Sequence, residues 1–157
     1  MLSTELAALY SRDLARLVQE LEAFPDSSTL WQTAPGVTNA AGTLALHVEG
    51  NLREYIGRQL GHVEYTRDRP IEFSQRGVEK VDLIARIESV RVLIPRVIAG
   101  LPEDALAAIY PEQVLGVPMS TRQFLIHLAG HLNYHLGQID YLRRFSTGNG
   151  AIHLVNL

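Results

Sequence analysis

The stretch HLAGHLNYHLGQ, residues 127–138, contains three of the six histidines of a 157-residue chain. His127 and His131 are four positions apart, and His131 and His135 repeat that spacing. Six histidines placed at random in such a chain would give about 0.2 pairs of this kind, so chance is a poor explanation. Residues four apart lie above one another on an α-helix, about 6 Å apart along its axis. The spacing therefore predicts two imidazoles presented to one point, as metal ligands are.

The helix predicted by this stretch has an apolar side, and two of the histidines fall on it. At about 100° per residue, His131 and His135 lie within the apolar stripe, whereas His127 lies at its border. The other members of the stripe are Phe124, Leu128, Ile139 and Leu142. Adjacent buried imidazoles are costly without partners, and costlier when charged. We therefore predict a bound divalent metal ion; the alternative is a pair of neutral core histidines hydrogen-bonded to carbonyl groups and to each other.

The composition is that of an ordinary globular protein and excludes several functions. Hydrophobic residues make up 46% and charged residues 20% of the chain, which suits one domain over residues 1–157. Because cysteine is absent, histidine, carboxylate or water must hold any metal. The net charge of −3 argues against a nucleic-acid partner. No segment has the pattern of a membrane span or a leader peptide, so we expect a cytoplasmic protein without a membrane partner.

Hydrophobic periodicity predicts four long helices, over residues 3–24, 39–60, 80–99 and 120–145. We expect Ser3, Asn39 and Ser120 to cap three of them. The predicted fold class is therefore all-α, a four-helix bundle with a long crossover between helices two and three. Facing helices of a bundle pool metal ligands in its core, and His47 on the second helix is the natural third ligand.

The connections carry fewer signals. Residues 25–39 have a turn-forming composition, and a short extra helix is expected within residues 102–110. In residues 62–79 no period holds, and Pro70 is expected to break any helix. A crossover of this length lets the next helix run parallel to its predecessor or covers the mouth of the bundle. Its arginines, Arg67, Arg69 and Arg76, either recognise an anionic substrate or are paired within a solvated loop.

Several side chains leave two interpretations open. On helix two, Asn51, Glu54 and Arg58 follow His47 along nearly one line, which is either the wall of a polar site or a surface strip with a Glu54–Arg58 ion pair. The single tryptophan, Trp31, either packs over the end of the bundle or lines a pocket.

Two glycines interrupt the predicted fourth helix. Gly130 and Gly137 each cost about 1 kcal/mol in a helix interior relative to alanine. We therefore expect them to permit a close approach between helices or to leave room for a ligand.

Taken together, these residues resemble the DinB/YfiT-like superfamily of metalloenzymes over nearly the whole chain. The resemblance rests on a histidine early in helix two, His47 in the segment LALH at 44–47, and on the signature His131-x-x-x-His135-x-Gly137-Gln138. It implies a bundle with up-up-down-down helix order. It also implies that His47, His131 and His135 bind a divalent metal, usually nickel or zinc, with positions left for water or substrate. His127 matches a histidine that is not a ligand in that family.

The resemblance implies an activity but does not choose among several. Members include thiol S-transferases that use bacillithiol, mycothiol-dependent isomerases and metal-dependent hydrolases. We expect an enzyme that activates a metal-bound thiol or water towards a small-molecule substrate, with a low-molecular-weight thiol as co-substrate and a homodimer by analogy. The alternative is a non-catalytic, metal-stabilised bundle acting as a dimeric binding or stress-response module. Further candidates for orienting ligands or substrate are Asn51, Tyr55, Tyr134 and Gln138.

Overall fold

The computed structural model describes residues 1–152, and these residues are mainly helical. In that range there is no β-strand beyond an isolated bridge. The helices are α1 (Leu2–Glu22), α2 (Ser27–Leu30), α3 (Ala41–Leu52), α4 (Arg69–Ser74), α5 (Lys80–Ala99), α6 (Glu103–Ala107) and α7 (Thr121–Thr147). A π-helical segment, Arg53–Arg58, directly continues α3. The all-α fold class is confirmed, and His153, for which the sequence indicates no role, lies outside the described residues.

The four long helices α1, α3, α5 and α7 pack together, and contacts between them give their directions. Tyr10 of α1 donates its hydroxyl to the carbonyl oxygen of Leu125 in α7, at 2.7 Å. Farther along both helices, Arg143 of α7 forms an ion pair with Glu20 of α1. Because these contacts advance in the same sense along both helices, α1 and α7 are parallel.

Helix α3 runs against α7. Its His47 contacts His131, whereas Tyr55, two turns later in the π-helical segment, packs edge-to-face on Phe124 with ring centroids 5.5 Å apart. Residue numbers therefore fall along α7 as they rise along α3. This antiparallel pairing places residues from the first half of α3 opposite the middle of α7.

Helix α5 is parallel to α3, which corrects the expected helix order. Glu49 pairs with Arg86, and one turn on Arg53 hydrogen-bonds to Ser89. The bundle is consequently up-down-down-up, and the up-up-down-down order that the resemblance implied is wrong for these residues. The predicted crossover lies between Arg58 and Lys80. It returns the chain so that α5 runs parallel to its predecessor, which is one of the two roles considered for it.

The first connection explains why α3 reverses direction. Trp31 follows α2, lies against Gly42 at the start of α3, and donates its indole N–H to the carbonyl oxygen of Val78 at 3.1 Å. The connection from α1 to α3 thus stays at one end of the bundle, where α5 also begins. Of the two roles considered for Trp31, the structure shows packing over the bundle end.

Helix boundaries follow the sequence where local signals are strong. Helix α5 has the predicted bounds, and Ser120 caps α7 by accepting a hydrogen bond from the backbone N–H of Gln123. Ser3 and Asn39 are not caps, because α1 begins one residue earlier than predicted and α3 begins after Ala40.

The crossover contains a helix that the sequence reading missed. Pro70 lies in the first turn of α4, where its missing N–H costs nothing, and Asp68 caps the helix by accepting from the backbone N–H of Ile71 at 3.1 Å. The expectation that Pro70 breaks any helix here is therefore wrong, since proline starts this one.

The core lies between the four long helices, and most of its buried hydrophobic residues are aliphatic. Its fully buried members include Leu14, Leu17, Leu21, Ile56, Leu83, Ile87, Val90, Ile94, Leu125 and Ile139. Burial of such side chains is worth about 1.5–3 kcal/mol each and holds α3 and α7 in fixed register. Across residues 1–152, no helix combines the length and apolarity needed to cross a bilayer.

Candidate metal centre

Three histidine rings from two helices converge at one point. Nε2 of His131 lies 3.2 Å from Nε2 of His47 and 3.1 Å from Nε2 of His135. One ring nitrogen from each residue lies within 4.8 Å of the others. His47 is buried, and His131 and His135 are half-buried. The structure thus brings together the three predicted ligands, which we call the histidine cluster.

The outer ring nitrogens of the cluster show where two of its protons are. Nδ1 of His47 lies 2.9 Å from Glu72 Oε2, and Nδ1 of His135 lies 2.7 Å from Gln138 Oε1. Because both partners are acceptors, each Nδ1 carries the proton and each Nε2 presents a lone pair. A proton on Nε2 of His131 can satisfy only one of these lone pairs. A neutral hydrogen-bonded cluster is therefore one donor short, and a cation fits it better.

Burial favours the uncharged form of the two α7 histidines. It lowers the pKa of His131 to about 4, with the neighbouring rings of His135 and His47 acting in the same direction. Burial also lowers the pKa of His135, although the hydrogen bond with Gln138 opposes that effect. Both imidazoles are consequently neutral at pH 7, which is the form that binds a metal ion.

Glu72 supplies a carboxylate to this site from the crossover helix α4. It accepts from Nδ1 of His47, and Arg67 donates to both of its oxygens, from Nε at 2.6 Å and from Nη2 at 2.9 Å. Burial raises the pKa of Glu72, but the hydrogen bonds from His47 and Arg67 outweigh it and lower that pKa overall. A carboxylate behind a ligand imidazole fixes its tautomer and increases its basicity.

The Glu72 carboxylate fits because α3 has a glycine where it approaches. A β-carbon at Gly50 would collide with the Glu72 carboxylate group. The sequence did not single out Glu72 as part of this site. The available signals were Gly50 inside a helix, one turn after His47, and the Asp68-x-Pro70 start that places Glu72 in a first helical turn.

The four residues expected to orient ligands or substrate have different positions. Gln138 holds His135, as described. Asn51 and Tyr55 line a cavity beside the cluster. Tyr134 is 65% exposed, with its ring edge towards His135 at 5.3 Å between centroids. His127 is exposed, stacks on Phe124 and lies outside the histidine cluster.

A cavity of about 210 Å³, the site cavity, adjoins His47 and His131. Its polar lining also includes Asn51, Tyr55, Arg67, Arg69 and His127, and its apolar lining includes Val114, Leu115, Phe124 and Leu128. The polar residues that follow His47 in α3 and its π-helical continuation have different roles. Asn51 lines the cavity, whereas Glu54 pairs with Arg58, which also contacts Glu112.

The arginines of the crossover are also divided between the two predicted roles. Arg67 is paired with Glu72, and Arg76 donates to the carbonyl oxygens of Phe73 and Gln75. Arg69 has its guanidinium over the ring of Phe73, 5.1 Å from the centroid. Within residues 1–152, Arg69 has no carboxylate partner within ion-pair distance.

The glycines of α7 do not permit the close helix approach that was one of their expected roles, although Gly137 lines a separate cavity of about 250 Å³. A β-carbon at Gly130 or at Gly137 would meet no heavy atom within 4 Å beyond its own local helix. Both residues are exposed, so neither permits a close helix approach, and neither lines the site cavity. The sequence pattern was misleading because exposed glycine in a helix is tolerated at modest cost.

Comparisons with known proteins agree with this fold. The family model described as the DinB superfamily matches residues 9–139. A DinB-like protein from Bacillus cereus ATCC 10987 is similar in structure, with 18% identity, a TM-score of 0.70, and coverage of 94% of this chain and 95% of that one. A conserved protein from Enterococcus faecalis has 17% identity and a TM-score of 0.73, over 92% and 96% of the two chains. No curated protein matches the sequence.

Proposed function

The chain belongs to the DinB superfamily, and we propose that it is a metal-dependent enzyme with His47, His131 and His135 as the ligands of a divalent ion. The observation that carries the proposal is the convergence of three Nε2 atoms, with those of His47 and His135 both lying beside the Nε2 of His131. Nickel and zinc are the ions that we propose, because neutral imidazoles suit both.

The spacing of the cluster supports this donor set. Zinc binds imidazole nitrogen at about 2.0–2.1 Å, which puts tetrahedral ligand atoms about 3.3 Å apart. The His131 Nε2 distances to His47 and His135, 3.2 and 3.1 Å, are close to that value. With three protein ligands such an ion has an open position, where it lowers the pKa of a bound water or thiol.

Residues around the histidine cluster have distinct roles in this proposal. Glu72 holds the Nδ1 proton of His47, so that Nε2 stays available. Gln138 does the same for His135 with a neutral acceptor. The site cavity has both polar and apolar lining residues, and its volume, about 210 Å³, suits a small molecule.

The reaction that we propose is transfer of a low-molecular-weight thiol to an electrophile, or hydrolysis of a small substrate. The chain has no cysteine, so any thiol must come from a co-substrate. Metal-loaded protein should be assayed with thiol and a panel of electrophiles, and with ester substrates alone. Thiol-dependent loss of the electrophile indicates a transferase, and thiol-independent product formation indicates a hydrolase.

The metal site itself is tested by element analysis of full-length protein purified without a histidine tag. We expect about one nickel or zinc per chain, and at least about a hundredfold weaker binding in His131→Ala. His127→Ala is the matched control, since it removes an imidazole one turn away and should leave binding unchanged. Wild-type protein that takes up neither ion, or equal binding by the two variants, would rule the site out.

A non-catalytic module is the second candidate, favoured by one observation. Tyr134, Tyr141 and Phe145 of α7 are 65%, 70% and 70% exposed, and their spacing places them on one face of the helix. In this alternative the metal stabilises the bundle and α7 pairs with a second copy. A dimer by sedimentation that Phe145→Glu dissociates, together with no turnover of any substrate, would favour the module over the enzyme.

A further inference from the structure

The site cavity has an uneven distribution of charge. Besides His47, His127 and His131, its charged or titratable lining includes Arg67 and Arg69, and no aspartate or glutamate is among its described lining residues. Glu72 neutralises Arg67 from behind. Arg69 is exposed at the edge of the cavity, and its guanidinium has no carboxylate within 4 Å in the described part of the chain.

Asn51 also lines this cavity, and one atom of its side-chain amide has no hydrogen-bond partner. The side chain is 93% buried by its 7% exposure, and Oδ1 has no hydrogen-bond partner. Asn51 follows His47 by one turn of α3 and lines the cavity with it. A buried amide oxygen without a partner is energetically unfavourable, so an unpaired amide beside a cavity points to a ligand.

Resting on the proposed function, we propose that the site cavity binds the anionic end of a carboxylate-bearing substrate next to the histidine cluster. Arg69 provides the counter-charge at the cavity wall, and the Asn51 amide provides neutral hydrogen bonding. The apolar part of the wall suits the hydrocarbon part of such a molecule and consists of Val114, Leu115, Phe124 and Leu128. The substrate class is thus a small organic acid rather than a neutral or cationic molecule.

The test compares benzoate with benzamide, two probes of nearly equal shape that differ in charge. Binding to full-length protein is measured by calorimetry, in the metal-loaded form and after chelator treatment. We expect benzoate to bind about tenfold more tightly than benzamide, and added salt to reduce the difference. The preference should persist in His131→Ala, since Arg69 and Asn51 do not depend on the metal.

Two variants separate the contributions of the cavity wall. Arg69→Gln should weaken benzoate about fivefold and leave benzamide unchanged, because only the anion meets the charge. Asn51→Leu should weaken both probes, because the amide is neutral. Arg91→Gln is the matched control: Arg91 pairs with Glu88 on α5 and does not line the site cavity.

The outcomes distinguish this proposal from the metal site. Equal binding of the two probes, or equal behaviour of Arg69→Gln and Arg91→Gln, would overturn the anion subsite even if metal content is stoichiometric. A benzoate preference that appears only with metal and ignores Arg69 would overturn it too, since the carboxylate would then be a metal ligand. A preference that survives in protein unable to bind metal supports the subsite while the proposed enzyme fails.

Discussion

At the scale of single residues, the histidine cluster depends on protons that are held outside it. His47 and His135 each give an Nδ1 proton to an oxygen, and the two acceptors differ in charge. Glu72 is a carboxylate that also binds Arg67, whereas Gln138 is neutral. We therefore expect the support of His47 to contribute more to ligand basicity than that of His135.

Substitution of Glu72 tests this support directly. Glu72→Gln keeps the shape of the side chain but removes its charge and leaves Arg67 unpaired. We expect nickel or zinc affinity to fall about 10–100-fold, as for other partners of ligand histidines. The measurement is competition with a chromophoric chelator. Glu88→Gln, a half-buried α5 residue paired with Arg91, is the control, and an equal effect of both variants would contradict the role of Glu72.

Gly50 in α3 leaves the space that the Glu72 carboxylate of α4 occupies. A methyl group at this position in Gly50→Ala would push the Glu72 side chain away from His47. We expect a loss of metal affinity similar to that of Glu72→Gln, with little further loss in the double variant, because both remove one interaction. Additive losses in chelator competition would show that Gly50 acts independently of Glu72.

At the scale of helices, we expect alanine substitution of a glycine in α7 to be favourable, in contrast to alanine substitution of Gly50. Gly130 is exposed, and a β-carbon there meets no heavy atom within 4 Å beyond its local helix. Gly130→Ala should therefore raise the free energy of unfolding by about 1 kcal/mol, since alanine is the better helix former. Urea unfolding of metal-free protein measures the change. A destabilised variant would mean that α7 needs a glycine there for a contact absent from this structure.

The helices also show which parts of the fold the sequence could predict. α5 has long, regular periodicity, and its predicted bounds are confirmed. α4 is only six residues long, too short for periodicity to appear, and its proline was taken as a breaker when it begins the helix. The three proposed ligands were predictable, because two are on one helix and His47 is on its neighbour. Glu72 was not, because it reaches the site only through the path of the crossover.

At the scale of the whole molecule, helix direction could not be read from periodicity, which carries no sense of up or down. The correct order follows from which ends of the helices meet, and contacts such as Tyr10 with Leu125 determine it. The crossover then passes along the bundle and brings Glu72 beside His47. The histidine cluster and Glu72 therefore join three separate segments, α3, α4 and α7, whereas no residue of α1 contacts them.

This arrangement predicts how the molecule responds to metal removal. At a nickel or zinc concentration 100 times the dissociation constant, binding should raise the free energy of unfolding by about 2.7 kcal/mol. Chelator should abolish that increase, and His131→Ala should keep at most about 0.4 kcal/mol of it, because its site binds the ion at least about a hundredfold more weakly. Thermal unfolding at fixed protein concentration gives the measurement.

Hydrogen exchange tests which helices the bound ion is expected to stabilise. Because Glu72 connects α4 to a ligand imidazole, the backbone amides of α4 should exchange more slowly once His47 is fixed by the ion, and those of α1 should change less. In Glu72→Gln, under conditions that saturate the site, α4 should lose this protection while α7 keeps it. Metal-dependent protection that is equal in α1 and α4, or unchanged by Glu72→Gln, would mean that the ion stabilises the bundle globally and that the crossover helix is not coupled to the site.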